Sequence, residues 1–487
     1  MRELATLHPG TTPAAWLRAH PGDSLVRFER RLVAENDQRW CARSGRRTIL
    51  ADGTPVLRYA YFYPPAAPPA LALPPAEDSQ LIRDGCRLGA IWLETPATDS
   101  LSGGALAAQV RDALIQVYGP VHPAPDPWYT RALTDSSRRA MLSRLPGADV
   151  QRLGLHFFGA GHWRVPGRWQ VDSAVVASAY DKGFDPRRAR VLACAVLPFA
   201  GLGASPTAAE EERAVARKAS ALAAEAARLS GMDRGRVDPL LALLAAAESA
   251  FHTAPPDSAR ARAGALHPQV PSVLFDWITA SRALDASHRA AALLAADQVL
   301  GSEAVVFVLA QDDAGAARQA LSGLGAEFVH DELNRSENYA HAWLDEARRL
   351  DSAGHAGQLA TLALLRLGFN ETGTCGGGEE ASQRVSAAGE QLLRSVSDPT
   401  MAAEVHVLVA DGYADVVALA AGGGATYADS TAYTAAAPEA RRRAIQHYRR
   451  GLALAPHSAD AHTAWLEAWR LLAGLPPTTT YFFCVYD

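Results

Sequence analysis

Lysine is almost absent from this chain of 487 residues: Lys182 and Lys218 are the only two, although lysine and arginine together number 47. Arginine therefore carries nearly all the positive charge, which fits codon bias in a GC-rich bacterial genome better than an arginine-built binding surface. The 52 acidic residues leave a net charge of -5, so the basic surplus needed to displace counterions from phosphates is missing and no nucleic-acid partner is expected. Long apolar runs are missing too. The best, residues 191–203, is broken by Pro198 and falls short of the roughly 20 residues that cross a bilayer, so no transmembrane segment is expected. The opening stretch from Met1 to Pro9 lacks the apolar segment of a signal peptide.

Cysteine is scarce, and none of the five sits at zinc-site spacing. Cys194 lies in the apolar run 190–197 and reads as a buried thiol. The remaining four form two candidate disulfides, Cys41 with Cys86 and Cys375 with Cys484. Pairing implies a periplasmic or extracellular protein, with a structural component stapled by these bridges as an alternative reading of function; free thiols imply a cytoplasmic one. Catalytic and cofactor signatures are lacking as well. Gly376–Gly378 and Gly422–Gly424 have neither the lysine nor the hydroxyl residue of a phosphate-cradling loop, and no Gly-x-Ser-x-Gly elbow or haem-attachment motif occurs, so no cofactor is expected.

What is present is a globular composition, 48% hydrophobic and 20% charged, long enough for about three units of typical size. A helix is expected over 12–19, and a second after Asp23-Ser24 that aligns Leu25, Phe28, Leu32 and Val33. Strands over 48–51 and 56–63 flank the turn signal Asp52-Gly53, and residues 64–75 read as an extended surface connection. A strand over 88–94 precedes a helix over 105–118; a further helix lies near 137–145, paired strands surround Val165-Pro-Gly167, and another strand covers 190–197. Strands and helices without a βαβ rhythm predict an α+β domain over 1–205. Helices then dominate: 208–230, 238–251, 271–284 and 287–300, with 304–310 open to either a strand or a buried helix. The expected organisation is a helical linker or bundle over 206–300 and a second helical region over 301–487.

The segment Ala444 to Pro456 places Ile445, Tyr448, Leu452 and Ala455 on one helical face and ends in proline. It resembles the second helix of a tetratricopeptide repeat, in which alanine is followed four residues on by an aromatic and later by proline. Gly451 stands where that family usually has alanine, which implies looser packing there. Val409-Ala410 with Tyr413, and Trp465 with Trp469, resemble flanking repeat helices. Asp398-Pro399 reads as a second helix end, 57 residues before Pro456 against a repeat of 34, which places the excess in a loop over 422–433. The resemblance covers at most 338–472, with helices over 338–350 and 358–367, a further insertion over 371–379 and an apolar tail over 481–486 that caps the stack. It implies a scaffold or accessory subunit that holds a protein partner through Tyr413, Tyr427, Tyr433, Tyr448, Trp465 and Trp469.

Two constellations could carry chemistry. If one helix spans them, His330, Asn334, Glu337 and His341 share a face and could ligate a metal, although ordinary solvated helix polarity explains them as well. His156 and His162, with Asp172 to orient one of them and Trp163, Arg164 and Trp169 alongside, could form a hydrolase site in the N-terminal domain. Aromatic packing on a sheet face is the blander account of the same residues.

Overall fold

The computed structural model describes residues 11–27, 41–49, 55–65, 67–74, 84–96, 112, 115–116, 163–171, 174–181, 190–196, 208–252, 256–331, 336–370, 379–421, 430–458 and 460–477. After helix α1 (Pro13–Ala19) come strands β1 (Ser24–Arg27), β2 (Ala42–Ile49), β3 (Pro55–Tyr63), β4 (Arg87–Pro96), β5 (Trp163–Val171), β6 (Ala174–Asp181) and β7 (Arg190–Val196). They form one antiparallel sheet in the order β1-β2-β3-β4-β7-β6-β5. Two meanders thus meet at the central pair β4–β7, where Trp92 lies opposite Cys194. The N-terminal region thus carries an antiparallel sheet, and the described remainder of the chain is mainly helical.

Local detail differs from expectation in two places. Ser24 to Arg27 is a strand paired to residues 42–45, not the start of a helix, because ladder pairing with β2 overrides the helical period of Leu25 and Phe28. The pair β5–β6 runs from Trp163 opposite Asp181 to Val171 opposite Ala174, and Val165-Pro166 falls at a register shift between Arg164 and Gly167 instead of at a turn. Proline cannot donate to the ladder, so it sits where pairing is interrupted. The helices expected over 105–118 and 137–145 lie almost wholly outside the described residues, apart from helical turns at 112 and 115–116.

A buried carboxylate fixes the first corner of the sheet. Asp23, its side chain fully buried, accepts hydrogen bonds from Trp16 Nε1 at 2.8 Å, Ser44 Oγ at 3.2 Å and the guanidinium of Arg58 at 3.0 Å. Arg58 also lies over the Trp16 ring at 5.5 Å. Close by, Cys41 and Cys86 are joined by a disulfide with Cα atoms 6.7 Å apart, linking the entry of β2 to the entry of β4.

The rest of the chain is mainly helical: α2 (Ala208–Leu229), α3 (Arg234–Phe251), α4 (Pro256–Leu266), α5 (Gln269–Ser281), α6 (Ala286–Leu300), α7 (Glu303–Leu309), α8 (Gly315–Ser322), the hairpin β8 (Phe328–Asp331) and β9 (Ser336–Tyr339), α9 (Ala342–Leu350), α10 (His355–Asn370), α11 (Glu379–Leu392), α12 (Pro399–Ala420), α13 (Ser430–Leu454) and α14 (Ala461–Leu472). The apolar run at 304–310 resolves as helix α7, capped by Ser302. From α9 onward each helix packs on its successor, and α6, α10 and α12 touch in turn as an inner row. Among the described residues no single helix is long and apolar enough to cross a membrane; α6 and α7 would pass only as a pair bent by 65°.

Two apolar cores hold these elements. The first runs from Ala223 on α2 to Val409 on α12 and crosses residue 300 without a break, so helices on both sides of that expected boundary share one interior. The second combines Trp16, Cys41, Phe62, Cys86, Leu88 and Ile91 with Ala410 to Val417 of α12 and with α13 and α14. The segment expected to be a surface connection belongs to this junction: Trp465 Nε1 donates to Ala72 O at 3.1 Å, Arg449 bonds Pro74 O, and Leu71 and Leu73 pack inward.

Asp398-Pro399 opens a helix instead of ending one. Asp398 caps α12 by accepting from the N–H groups of Thr400 and Met401, and Pro399 takes the first helical position, where its missing donor costs nothing. Pro456 instead follows the end of α13. The two prolines occupy opposite helix ends, so their 57-residue separation is no repeat period. Gly451 also reverses expectation: a Cβ there would lie 3.1 Å from Ala403 O and from Val407 Cγ2, so glycine permits closer, not looser, packing of α13 on α12.

Two measurements follow from these junctions. Replacing Asp23 by alanine leaves Arg58 buried without its partner and should cost about 3–5 kcal/mol in chemical denaturation. Alkylation without reductant, read by peptide mass, should leave Cys41 and Cys86 unlabelled until reductant is added.

Candidate functional site

A cleft of about 610 Å³ opens along the inner row of helices. Its walls come from α2, α3, α6, α10, α12, α13 and α14, together with the turn at Gly301–Ser302 and His341. Leu222, Phe251, Leu367, Leu408 and Leu452 give it an apolar floor. Six carboxylates line it, Glu248, Asp297, Glu303, Glu404, Asp411 and Asp460, against one guanidinium, Arg366, and the imidazoles of His252 and His341. Arg366 is itself paired with Glu404. Carboxylates thus outnumber cations in this lining, in a concavity of a size that takes small ligands or a few residues of a peptide.

One wall carries a fixed polar group. Asp297 projects from α6 with its side chain wholly buried; one oxygen accepts the Tyr339 hydroxyl at 2.7 Å and the other lies 2.9 Å from His341 Nδ1. Burial pushes the Asp297 carboxyl above the ordinary carboxylate range, while the bonds from His341 and Tyr339 pull the other way. Burial, followed by the charge of Asp297, raises the Tyr339 phenol well above its usual value. The His341 backbone takes the left-handed conformation, φ 55° and ψ 33°, between β9 and α9. Its ring lies directly over Gly301, where a Cβ would come within 2.3 Å of His341 Cε1.

Behind the opposite wall, between α12 and α13, His406 and His447 face each other with Nδ1 atoms 2.9 Å apart, both rings buried. One Nδ1–H must donate and the other nitrogen must accept. His447 Nε2 lies 3.6 Å from Glu390 on α11, which also accepts the Tyr413 hydroxyl; Arg443 of α13 completes the network. Burial first, then the positive charges of His447 and Arg450, push His406 down to about 4; burial also lowers His447, opposed by Glu390. Protonating both rings leaves two donors facing each other.

The residues singled out for partner or metal binding fall differently from expectation. Tyr448, Trp465 and Trp469 are buried in the second core, with the Tyr448 hydroxyl donating to Asp411, so they form no free partner face. Tyr413 and Tyr433 are half-buried against the same core, and Tyr433 lies within α13 rather than in a loop. Tyr427 lies outside the described residues, as do Asn334, His156, His162, Asp172, Cys375 and Cys484 and the capping tail. No helix spans 330–341: a hairpin places His330 opposite Glu337 and strands end at Tyr339, which removes the single-face metal arrangement. Of that set, His341 lines the cleft. Among the described residues no group of three or more metal-ligating side chains converges.

Comparison with protein-family models, curated proteins and solved structures yields no match to this chain. Of the polar residues that line the cleft, the sequence pointed to His341 and not to Asp297. A signal existed for Asp297: it is the one acid in the run Ala290 to Leu300, on a helix apolar around its whole circumference, where a charged residue needs a partner.

The histidine pair sets a pH dependence. Folded-state values below the unfolded value of about 6.5 mean that the folded chain binds fewer protons in this window. Stability is complete above pH 6.5 and should fall as pH drops toward 4. Urea midpoints followed across that range should decline more steeply for the native chain than for His406→Gln/His447→Gln, by up to about 1.4 kcal/mol per pH unit for each proton.

Proposed function

We propose that the helical region is a protein-interaction module whose cleft holds an extended, positively charged segment of a partner protein. The single observation that supports this best is the cleft itself, a concave groove along successive inner helices with six carboxylates and one guanidinium in its walls. Charge complementarity of this kind steers association and selects against acidic competitors. The local likeness of Ala444 to Pro456 to a tetratricopeptide helix points the same way, since such stacks hold partner segments in their concave face. The partner surface in this reading is the cleft and not the aromatic set first singled out.

The compartment is a separate matter. The Cys41–Cys86 disulfide supports an exported location, because reducing compartments keep thiols apart.

The test uses fluorescent ten-residue peptides rich in arginine and lysine, with glutamate-rich peptides of matched length as controls, followed by anisotropy. Basic peptides should bind, weaken steeply with salt, and lose about tenfold in affinity on Glu303→Arg at the exposed rim. Equal binding of the acidic peptides, or none of either, overturns the reading.

A further inference from the structure

Asp297, Tyr339 and His341 come from three different elements, α6, β9 and the residue that opens α9. They converge so that the carboxylate holds Nδ1 of the imidazole at 2.9 Å. A carboxylate at Nδ1 keeps the proton on that nitrogen and leaves the basic lone pair on Nε2. The ring lines the cleft, and among the described residues no group bonds its Nε2. Its position is fixed three ways: by the carboxylate, by a left-handed backbone, and by the glycine beneath it. Strained backbone held by its surroundings is a mark of functional positions, and satisfying Asp297 alone requires no open ring nitrogen on a cleft wall.

We propose that the cleft is also a hydrolytic site in which His341 is the general base and Asp297 and Tyr339 are positioning residues. The neighbouring hydroxyl in the cleft, Ser302, is committed as the cap of α7: it donates to Val299 O at 2.8 Å and accepts from the N–H of Val305 at 3.3 Å. The nucleophile is therefore water. Nε2 takes a proton from water as its oxygen bonds to an acyl carbon; the bond from that carbon to the leaving oxygen then breaks, and the leaving oxygen takes the proton back from Nε2. Acid and alcohol are the products, no redox change occurs, and water is the only co-reactant. The substrate class is a carboxylic ester carrying a cationic group, matched to Glu248 and Glu303. This rests on the cleft reading given above only for the charge of the substrate.

The same chain supplies its own controls. His288 makes the same contact to Asp285, at 2.6 Å, in open solvent, and His252 lines the cleft without a carboxylate partner among the described residues. The experiment compares hydrolysis of p-nitrophenyl esters with amino-terminated and with plain acyl chains. The amino-terminated ester should be preferred. His341→Asn, chosen because asparagine tolerates the left-handed backbone, should lower kcat about 10²-fold or more while thermal unfolding stays near that of the native chain. Asp297→Asn and Tyr339→Phe should lower kcat with little change in KM, and Asp297→Asn should shift the rising limb of the pH profile.

Should those variants not fold, diethyl pyrocarbonate decides on the native chain: loss of hydrolysis should track carbethoxylation of His341, and not of His252 or His288. Hydrolysis no faster than buffer, activity retained in folded His341→Asn, or inactivation that tracks another histidine overturns the proposal. Peptide binding is read on the same samples. Binding without hydrolysis removes this inference and keeps the cleft reading; His341-dependent hydrolysis of the plain ester without peptide binding does the reverse.

Discussion

Helix α12 has to satisfy two interiors at once. Its first half gives Met401, Val405 and Val409 to the core that begins on α2, and its second half gives Ala410, Ala414, Val416 and Val417 to the core shared with the sheet. Of its 22 residues 13 are buried, and a helix apolar on nearly every side belongs between layers rather than on a surface. Its neighbours adapt to that role. Gly389 on α11 and Gly451 on α13 give up their Cβ atoms to let α12 approach; a Cβ at Gly389 would lie 2.4 Å from Val409 Cγ2. The few polar groups on α12 are matched individually, His406 by His447 and Asp415 by Ser382.

The cleft is a by-product of the same arrangement. Thr400, Glu404, Val407, Leu408 and Asp411 of α12 line the concavity, with Leu408 also packing on the first core and Val407 on the second. One helix thus connects the sheet, the inner row and the cleft wall. The pair His406–His447 lies just behind Val407 and Gly451, so protonation between α12 and α13 and occupation of the cleft act on the same wall. Buried polar pairs of this kind specify one packing because any slip leaves a donor or acceptor unmatched.

Periodicity identified most helices after residue 208 because amphipathic or continuous apolar patterns over ten or more residues leave few alternatives. It failed where a short segment was decided by a distant partner. Ser24 to Arg27 carries a helical spacing yet pairs with β2, and the helix expected over 338–350 begins only at Ala342, after residues 338–339 have paired in β9. The function of a proline was equally hidden: Asp398-Pro399 reads as a stop or a start, and the cap bonds to Thr400 and Met401 make it a start. The candidate site was barely legible. Asp297, Tyr339 and His341 are separated by about forty residues of sequence, and only packing of β9 against α6 brings them together.

The second core joins segments far apart in sequence, with Trp16, Phe62, Leu88 and Ile91 on one side and Tyr448, Trp465, Trp469 and Leu472 on the other. During synthesis the sheet face leaves the ribosome some 300 residues before the helices that cover it. At translation rates of about 5–20 residues per second, that apolar face stays uncovered for tens of seconds. Residues 67–74, which Trp465 and Arg449 later clasp, emerge with the sheet and supply only part of the cover. The apolar face therefore stays open until α13 and α14 emerge, and a chain cut short before α13 would leave it without that cover.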